Sequence, residues 1–153
     1  MQFIIQLLFS LSLLGFVINL VIGYFQLEHL RLFPIHLVIG LGSTFLGVLV
    51  TMMSTSYFLG TRDRLTEENR WPNISAETLE EAKIIKKNLF ASCGPAMMLI
   101  LLNAILAGCS YVGIIPALPH HIFAYLVIMA HARAMRATLQ FHRFREKLFS
   151  ESP

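Results

Sequence analysis

Residues 119–142, PHHIFAYLVIMAHARAMRATLQFH, decide the fold, because this stretch is long and apolar yet carries ionisable side chains. A helix of this length extends about 36 Å, enough to cross the roughly 30 Å hydrocarbon core of a membrane. Its histidines His120, His131 and His142 recur every eleven residues. Eleven residues make about three helical turns, so the three side chains form one stripe. Ionisable side chains inside a membrane span are costly and indicate function.

The composition of the whole chain is that of an integral membrane protein. Of its 153 residues 56% are hydrophobic and 14% are charged, and the mean hydropathy is +0.65. Soluble domains are nearer 45–50% apolar and about 25% charged. Four spans of about 20 residues each use up most of the length, so we expect no substantial soluble domain. The net charge of +3 comes from Lys and Arg beside the spans and does not indicate a nucleic-acid partner.

The apolar runs predict an all-α membrane protein, in which four transmembrane helices form an antiparallel bundle and residues 1–153 make a single domain. The spans are expected at about residues 3–25, 34–58, 88–112 and 119–142, with a polar loop over residues 60–87. Lys and Arg are concentrated in that loop and at the C-terminus, whereas the other two connections hold only Arg31. The positive-inside rule therefore predicts that the loop and both termini are cytoplasmic, in a bacterial-type inner membrane.

Three histidines are the first candidate ligands of a cofactor. His36 lies near the start of the second span, and His120 and His121 lie near the start of the fourth. In an antiparallel bundle the starts of these two spans lie at the same membrane level. Haem iron in helical bundles is held by histidines of facing helices. The sequence thus predicts a b-type haem bound by His36 together with His120 or His121. The alternative is that these side chains are only solvated at the interface.

A second candidate pairing lies near the middle of the membrane. His131 falls at about the depth of Met97 and Met98 on the third span. Histidine with methionine is also a haem ligand pair, so His131 joins His36 as a predicted metal ligand. The alternative is that His131 only hydrogen-bonds to Asn103 or to a hydroxyl group.

Arg133 is unusual because none of the four predicted spans contains Asp or Glu. Its charge therefore has no internal counter-charge. The side chain either extends to lipid phosphates at the cytoplasmic face, meets a carboxylate of a cofactor such as a haem propionate, or meets an acid of another subunit.

No enzyme motif is present, so the sequence favours a protein that is not an enzyme by itself. The chain has no phosphate loop, no serine nucleophile motif and no zinc signature. Cys93 and Cys109 fall about 24 Å apart on one helix, too far to form a disulfide.

The leading interpretation is a small subunit of a larger membrane complex, respiratory or otherwise electron-transferring. It contacts the lipid bilayer and other membrane subunits or copies of itself. In its stronger form it carries haem b and exchanges electrons with a partner or a quinone. The alternatives are a cofactor-free accessory or assembly subunit and a small-molecule transporter.

Overall fold

The structure is a computed structural model, and it describes residues 2–26, 32–66 and 76–150. The described residues form four α-helices, which are α1 (Gln2–Gln26), α2 (Phe33–Thr66), α3 (Ala76–Tyr111) and α4 (Ala117–Ser150). Each helix contains a stretch that is long and apolar enough to cross a membrane, namely Gln2–Phe25, Phe33–Gly60, Glu80–Tyr111 and Ala117–Leu148. Adjacent helices pack antiparallel, which confirms the prediction of an all-α bundle with four spans.

Three of the helices continue beyond the expected spans. α2, α3 and α4 have 34, 36 and 34 residues, which corresponds to about 50 Å of helix each. Their extra turns lie in the polar stretch over residues 60–87 and in the tail after residue 142. These stretches are rich in Leu, Glu, Lys and Arg, which favour helix, so nothing in their sequence ends the helix at the membrane surface. Residues 67–75 of the predicted loop, and Arg31, lie outside the described residues.

The bundle has two ends, which we call the link end and the loop end. At the link end, α1 and α3 finish while α2 and α4 begin; at the loop end, α1 and α3 begin while α2 and α4 finish. The pairs α1–α2 and α3–α4 pack most closely, whereas α2 and α4 meet only slightly across the diagonal of the bundle. The start of α1 and the end of α4 therefore lie at the same end of the bundle as the end of α2 and the start of α3. That this end is cytoplasmic stays a prediction from the Lys and Arg distribution.

The turn between α3 and α4 ends α3 sharply. Gly113 has a φ of 76°, a left-handed conformation that glycine adopts without steric cost. Its N–H donates to the carbonyl of Ser110 (3.1 Å), and the N–H of Ile114 donates to that of Cys109 (2.9 Å). This is the hydrogen-bond pattern of a Schellman cap, which satisfies the last carbonyls of α3. The cap fixes how closely α4 can follow α3 at the link end.

The interior contains two apolar clusters, and most of the apolar surface faces outwards. The smaller cluster is Phe16, Ile100 and Val127. The larger one, nearer the loop end, consists of Ile5, Phe9, Val50, Phe58, Leu89, Cys93, Ala96, Ala134, Ala137 and Phe141. At most 28% of any span is buried inside the bundle. The remaining apolar side chains therefore require lipid around them.

Candidate functional site

One face of α4 turns its three histidines into the bundle. His120 is 8% exposed, and His131 and His142 are both 0% exposed. On the opposite side of the same helix, Met129 and Arg133 are exposed. The eleven-residue spacing therefore does place the histidines on a single buried stripe. The three sites differ in what surrounds each ring.

At the link end, three imidazoles from two helices lie close together. The rings of His36 on α2 and His120 on α4 have centroids 6.2 Å apart, and the rings of His120 and His121 have centroids 5.6 Å apart. Asn19 of α1 and Asn103 of α3 lie beside them, so all four helices contribute. We call these five residues the histidine cluster. It lines a cleft whose remaining walls are the apolar side chains of Phe16, Leu20, Ala124 and Val127.

Hydrogen bonds set the tautomers of two of these rings. His36 Nδ1 donates to the backbone oxygen of Asn19, and His120 Nδ1 donates to Oδ1 of Asn103, and both donor–acceptor distances are 3.1 Å. An oxygen acceptor requires the proton to sit on Nδ1, so each neutral imidazole keeps a lone pair on Nε2. Within the described ranges, no hydrogen bond engages either Nε2. Metal-binding histidines are held in this way, with the second ring nitrogen bonded to a carbonyl or carboxylate oxygen.

Two glycines allow this close packing. A Cβ built on Gly23 of α1 would lie 3.0 Å from His36 Cε1 and 3.6 Å from His121 Cε1. A Cβ built on Gly40 of α2 would lie 2.9 Å from Asn19 Nδ2. Any larger residue would push these side chains away. The two glycines and the two asparagines are not among the site residues predicted from the sequence, although Asn103 is the one strongly polar residue inside its predicted span.

His121 is held at the rim of the cluster by an aromatic partner. Its ring stacks on Tyr24 of α1, with centroids 5.0 Å apart and planes inclined by 11°. The Tyr24 hydroxyl in turn shares a hydrogen bond of 3.0 Å with the hydroxyl of Tyr125 on α4. Both tyrosines are exposed, as is typical of residues at the membrane interface. Of the two predicted partners for His36, the structure thus favours His120, while His121 is engaged with Tyr24.

His131 lies in a closely packed environment. Its ring is 5.0 Å from the Phe9 ring and 5.5 Å from the Phe16 ring, measured between centroids. The Ser12 hydroxyl donates to the backbone oxygen of Phe9, so its oxygen accepts from His131 Nε2 at 2.6 Å. This corresponds to the hydroxyl alternative of the sequence analysis, whereas Asn103 bonds to His120 instead. Nδ1 of His131 has no partner in the described part of the chain.

The other predicted site residues are not gathered around His131. Met98 is 71% exposed, so its side chain lies on the outer surface and not beside this fully buried imidazole. Met97 is half-buried. Arg133 is exposed on the outside of α4, about 20 Å along the helix from His120. The structure thus separates Arg133 and Met98 from the histidine cluster, and the pairing of His131 with a methionine gains no support.

Toward the loop end, the buried polar side chains are satisfied mostly by one another. Ser54 and Thr138 share a hydrogen bond of 2.7 Å, and Thr138 donates to the backbone oxygen of Ala134. Neither ring nitrogen of His142 has a partner among the described residues. Its ring lies 5.7 Å from that of Tyr57, between centroids. His142 is therefore enclosed by protein.

The described ranges contain no group of three His, Cys, Asp or Glu side chains arranged to hold a metal ion. A site at the histidine cluster therefore has at most two such ligands in place. Comparison with protein-family models, curated proteins and solved structures finds no match for this chain. What the protein does must accordingly be argued from the geometry of the histidine cluster.

Proposed function

We propose that the protein is a small integral membrane subunit of a larger electron-transfer complex, and that it acts through the histidine cluster. The observation that carries this proposal is the convergence of His36 and His120, whose ring protons are both committed to oxygen acceptors. Two neutral imidazoles with free Nε2 lone pairs are ligands for a redox-active transition metal. We further propose a bacterial-type inner membrane as its location.

The role of a subunit is supported by the large share of the described residues that lies in membrane spans. The described residues form four spans and the turns that extend them, with no soluble domain among them. The cleft at the histidine cluster is closed from below by Phe16 and Val127, which belong to the packed core. This packing does not favour the transporter alternative. An electron carrier, in contrast, requires only a redox centre that is held at a fixed place near a partner subunit.

A b-type haem is a second candidate for that centre, and its fit is mixed. Two imidazoles on opposite sides of one metal, with metal–nitrogen distances of about 2 Å, have centroids roughly 6 Å apart. The 6.2 Å between His36 and His120 agrees with that value. The cleft, however, encloses room for about one water molecule. A porphyrin does not fit there unless the helices separate, so we assign no step to it. In the haem form, a lipid-soluble quinone would be the redox partner.

The test is isolation of the native protein from its membrane in mild detergent. We expect other membrane subunits to co-purify with it, together with one redox-active metal centre per chain. His36→Ala and His120→Ala should remove that centre, whereas His142→Ala, a buried histidine outside the cluster, should retain it. A reduced-minus-oxidised absorption spectrum distinguishes a haem from another metal. Partner subunits without any redox centre would instead support the cofactor-free accessory role.

A further inference from the structure

We infer that the histidine cluster binds one copper ion in the Cu(I) state, with Nε2 of His36 and Nε2 of His120 as its two nitrogen ligands. This inference rests on the proposed function only in taking the histidine cluster as the functional site. It specifies the metal, its oxidation state and its ligands, which the proposal above leaves open.

Two imidazole lone pairs at the cleft are left unused by the described residues. His36 and His120 have already used their ring N–H groups, so each offers only a lone pair. Asn19, which also lines the cleft, has a buried Oδ1 without a hydrogen-bond partner. A metal ion that takes the Nε2 lone pairs of His36 and His120 would engage both rings at once, while each Nδ1–H stays bonded to its oxygen acceptor.

The number of protein ligands at the cleft restricts which metal can bind there. The described part of the chain provides two imidazoles for the ion and no third His, Cys, Asp or Glu in range. His121 is stacked on Tyr24 instead. Structural zinc takes four protein ligands and catalytic zinc takes three, so two imidazoles are too few. Cu(I) accepts two nitrogen ligands in a line, which with bonds of about 2 Å separates the ring centroids by roughly 6 Å. The observed separation is 6.2 Å.

Among the residues that the structure describes, the cleft has no negative side chain to balance the charge of a cation. The side chains that line the cleft are apolar, amide or imidazole, and none is a carboxylate. A buried cation without a counter-charge carries a desolvation penalty that rises steeply with its charge. A singly charged ion is therefore favoured over Zn²⁺ or Cu²⁺. Imidazole is also a ligand type suited to copper.

The experiment is an anaerobic Cu(I) titration of the full-length protein in detergent, against a chromogenic Cu(I) chelator of known affinity. We expect one Cu(I) per chain. Asn103→Leu removes the oxygen that orients His120, and such a change should weaken binding about 10–100-fold. His36→Ala and His120→Ala remove ligands and should weaken binding further than that. His142→Ala, on the same helix as His120, should bind as the parent protein does.

A second pair of variants keeps both ligands and tests their placement. Gly23→Ala puts a methyl group against His36 and His121, while Gly42→Ala, where no atom lies within 4 Å of the added Cβ, is the matched control. We expect Gly23→Ala to weaken Cu(I) binding and Gly42→Ala to leave it unchanged. Each variant is first checked for an unchanged elution volume and helical circular dichroism.

Several results would overturn the copper inference. These are equal affinity in the parent and both histidine variants, which marks an adventitious ion only, tighter binding of Zn²⁺ than of Cu(I) in the same competition, or a b-type haem spectrum in the native protein. The proposed function fails separately, when the native protein purifies alone although it binds Cu(I). Partner subunits together with a haem would retain the function and remove the copper.

Discussion

His120 of the histidine cluster and His131 lie on the same buried stripe of α4, but their surroundings differ. His120 has its N–H committed to Asn103 and its lone pair free beside a second imidazole and a cleft. His131 has its N–H committed to Ser12 and its free Nδ1 enclosed between Phe9 and Phe16. Burial alone therefore does not distinguish these two rings. They differ because His120 has a second imidazole and a cleft beside it, and His131, among the described residues, has neither.

The largest expected effect comes from removing one histidine from each region. His120→Ala should remove the bound metal and retain the fold, because the cleft already reaches the surface. His131→Ala should retain the metal but lower the free energy of unfolding by about 2–5 kcal/mol, since it leaves a cavity between two phenylalanine rings. The measurements are metal content per chain and the midpoint of denaturation in detergent. Loss of metal from His131→Ala without loss of stability would show that the stripe acts as one unit.

The helices and the stripe could be predicted from the sequence, because both follow from local information. Apolar length identifies four spans, and a period of eleven residues fixes the relative angle of His120, His131 and His142. The choice of His120 over His121 could not be predicted in this way. These neighbours differ by about 100° around the helix, and which one faces α2 depends on the rotation of α4 in the bundle.

The same reasoning explains why the outward direction of Met98 and the position of Gly23 could not be predicted. Met97 and Met98 share a depth, but depth says nothing about direction, and Met98 faces lipid. Gly23 is significant only because imidazoles of two other helices approach it. Such contacts arise from the lateral arrangement of the helices, which no single span encodes. Asn103 was the more accessible clue, since an unpaired amide inside a membrane needs a partner.

A smaller effect is expected from the hydrogen bond that holds His131. Ser12→Ala leaves the Nε2 proton of His131 unsatisfied in a dry interior, and should cost about 1 kcal/mol of stability. In the double variant Ser12→Ala with His131→Leu, both polar groups are gone. Its loss should be smaller than the sum of the two single losses. The four midpoints of denaturation form a double-mutant cycle, and strict additivity would contradict the 2.6 Å hydrogen bond.

The smallest effect is expected at Arg133, which the sequence presented as a candidate functional residue. Its side chain is exposed on the outside of α4, and an arginine in such a place can extend along the helix toward the membrane surface. Arg133→Leu replaces a cation in the lipid-facing surface by an apolar group, which at intermediate depth is neutral or favours insertion. We expect unchanged expression and unchanged metal content, with Leu126→Ala as a lipid-facing control.

The decisive measurement is co-purification of partner subunits. If Arg133 instead meets a carboxylate of a partner, its removal leaves that charge unpaired at a cost of about 3–5 kcal/mol. The partner would then be lost while the metal remains, which would place the contact surface of this subunit on the outer face of α4, opposite the buried histidine stripe.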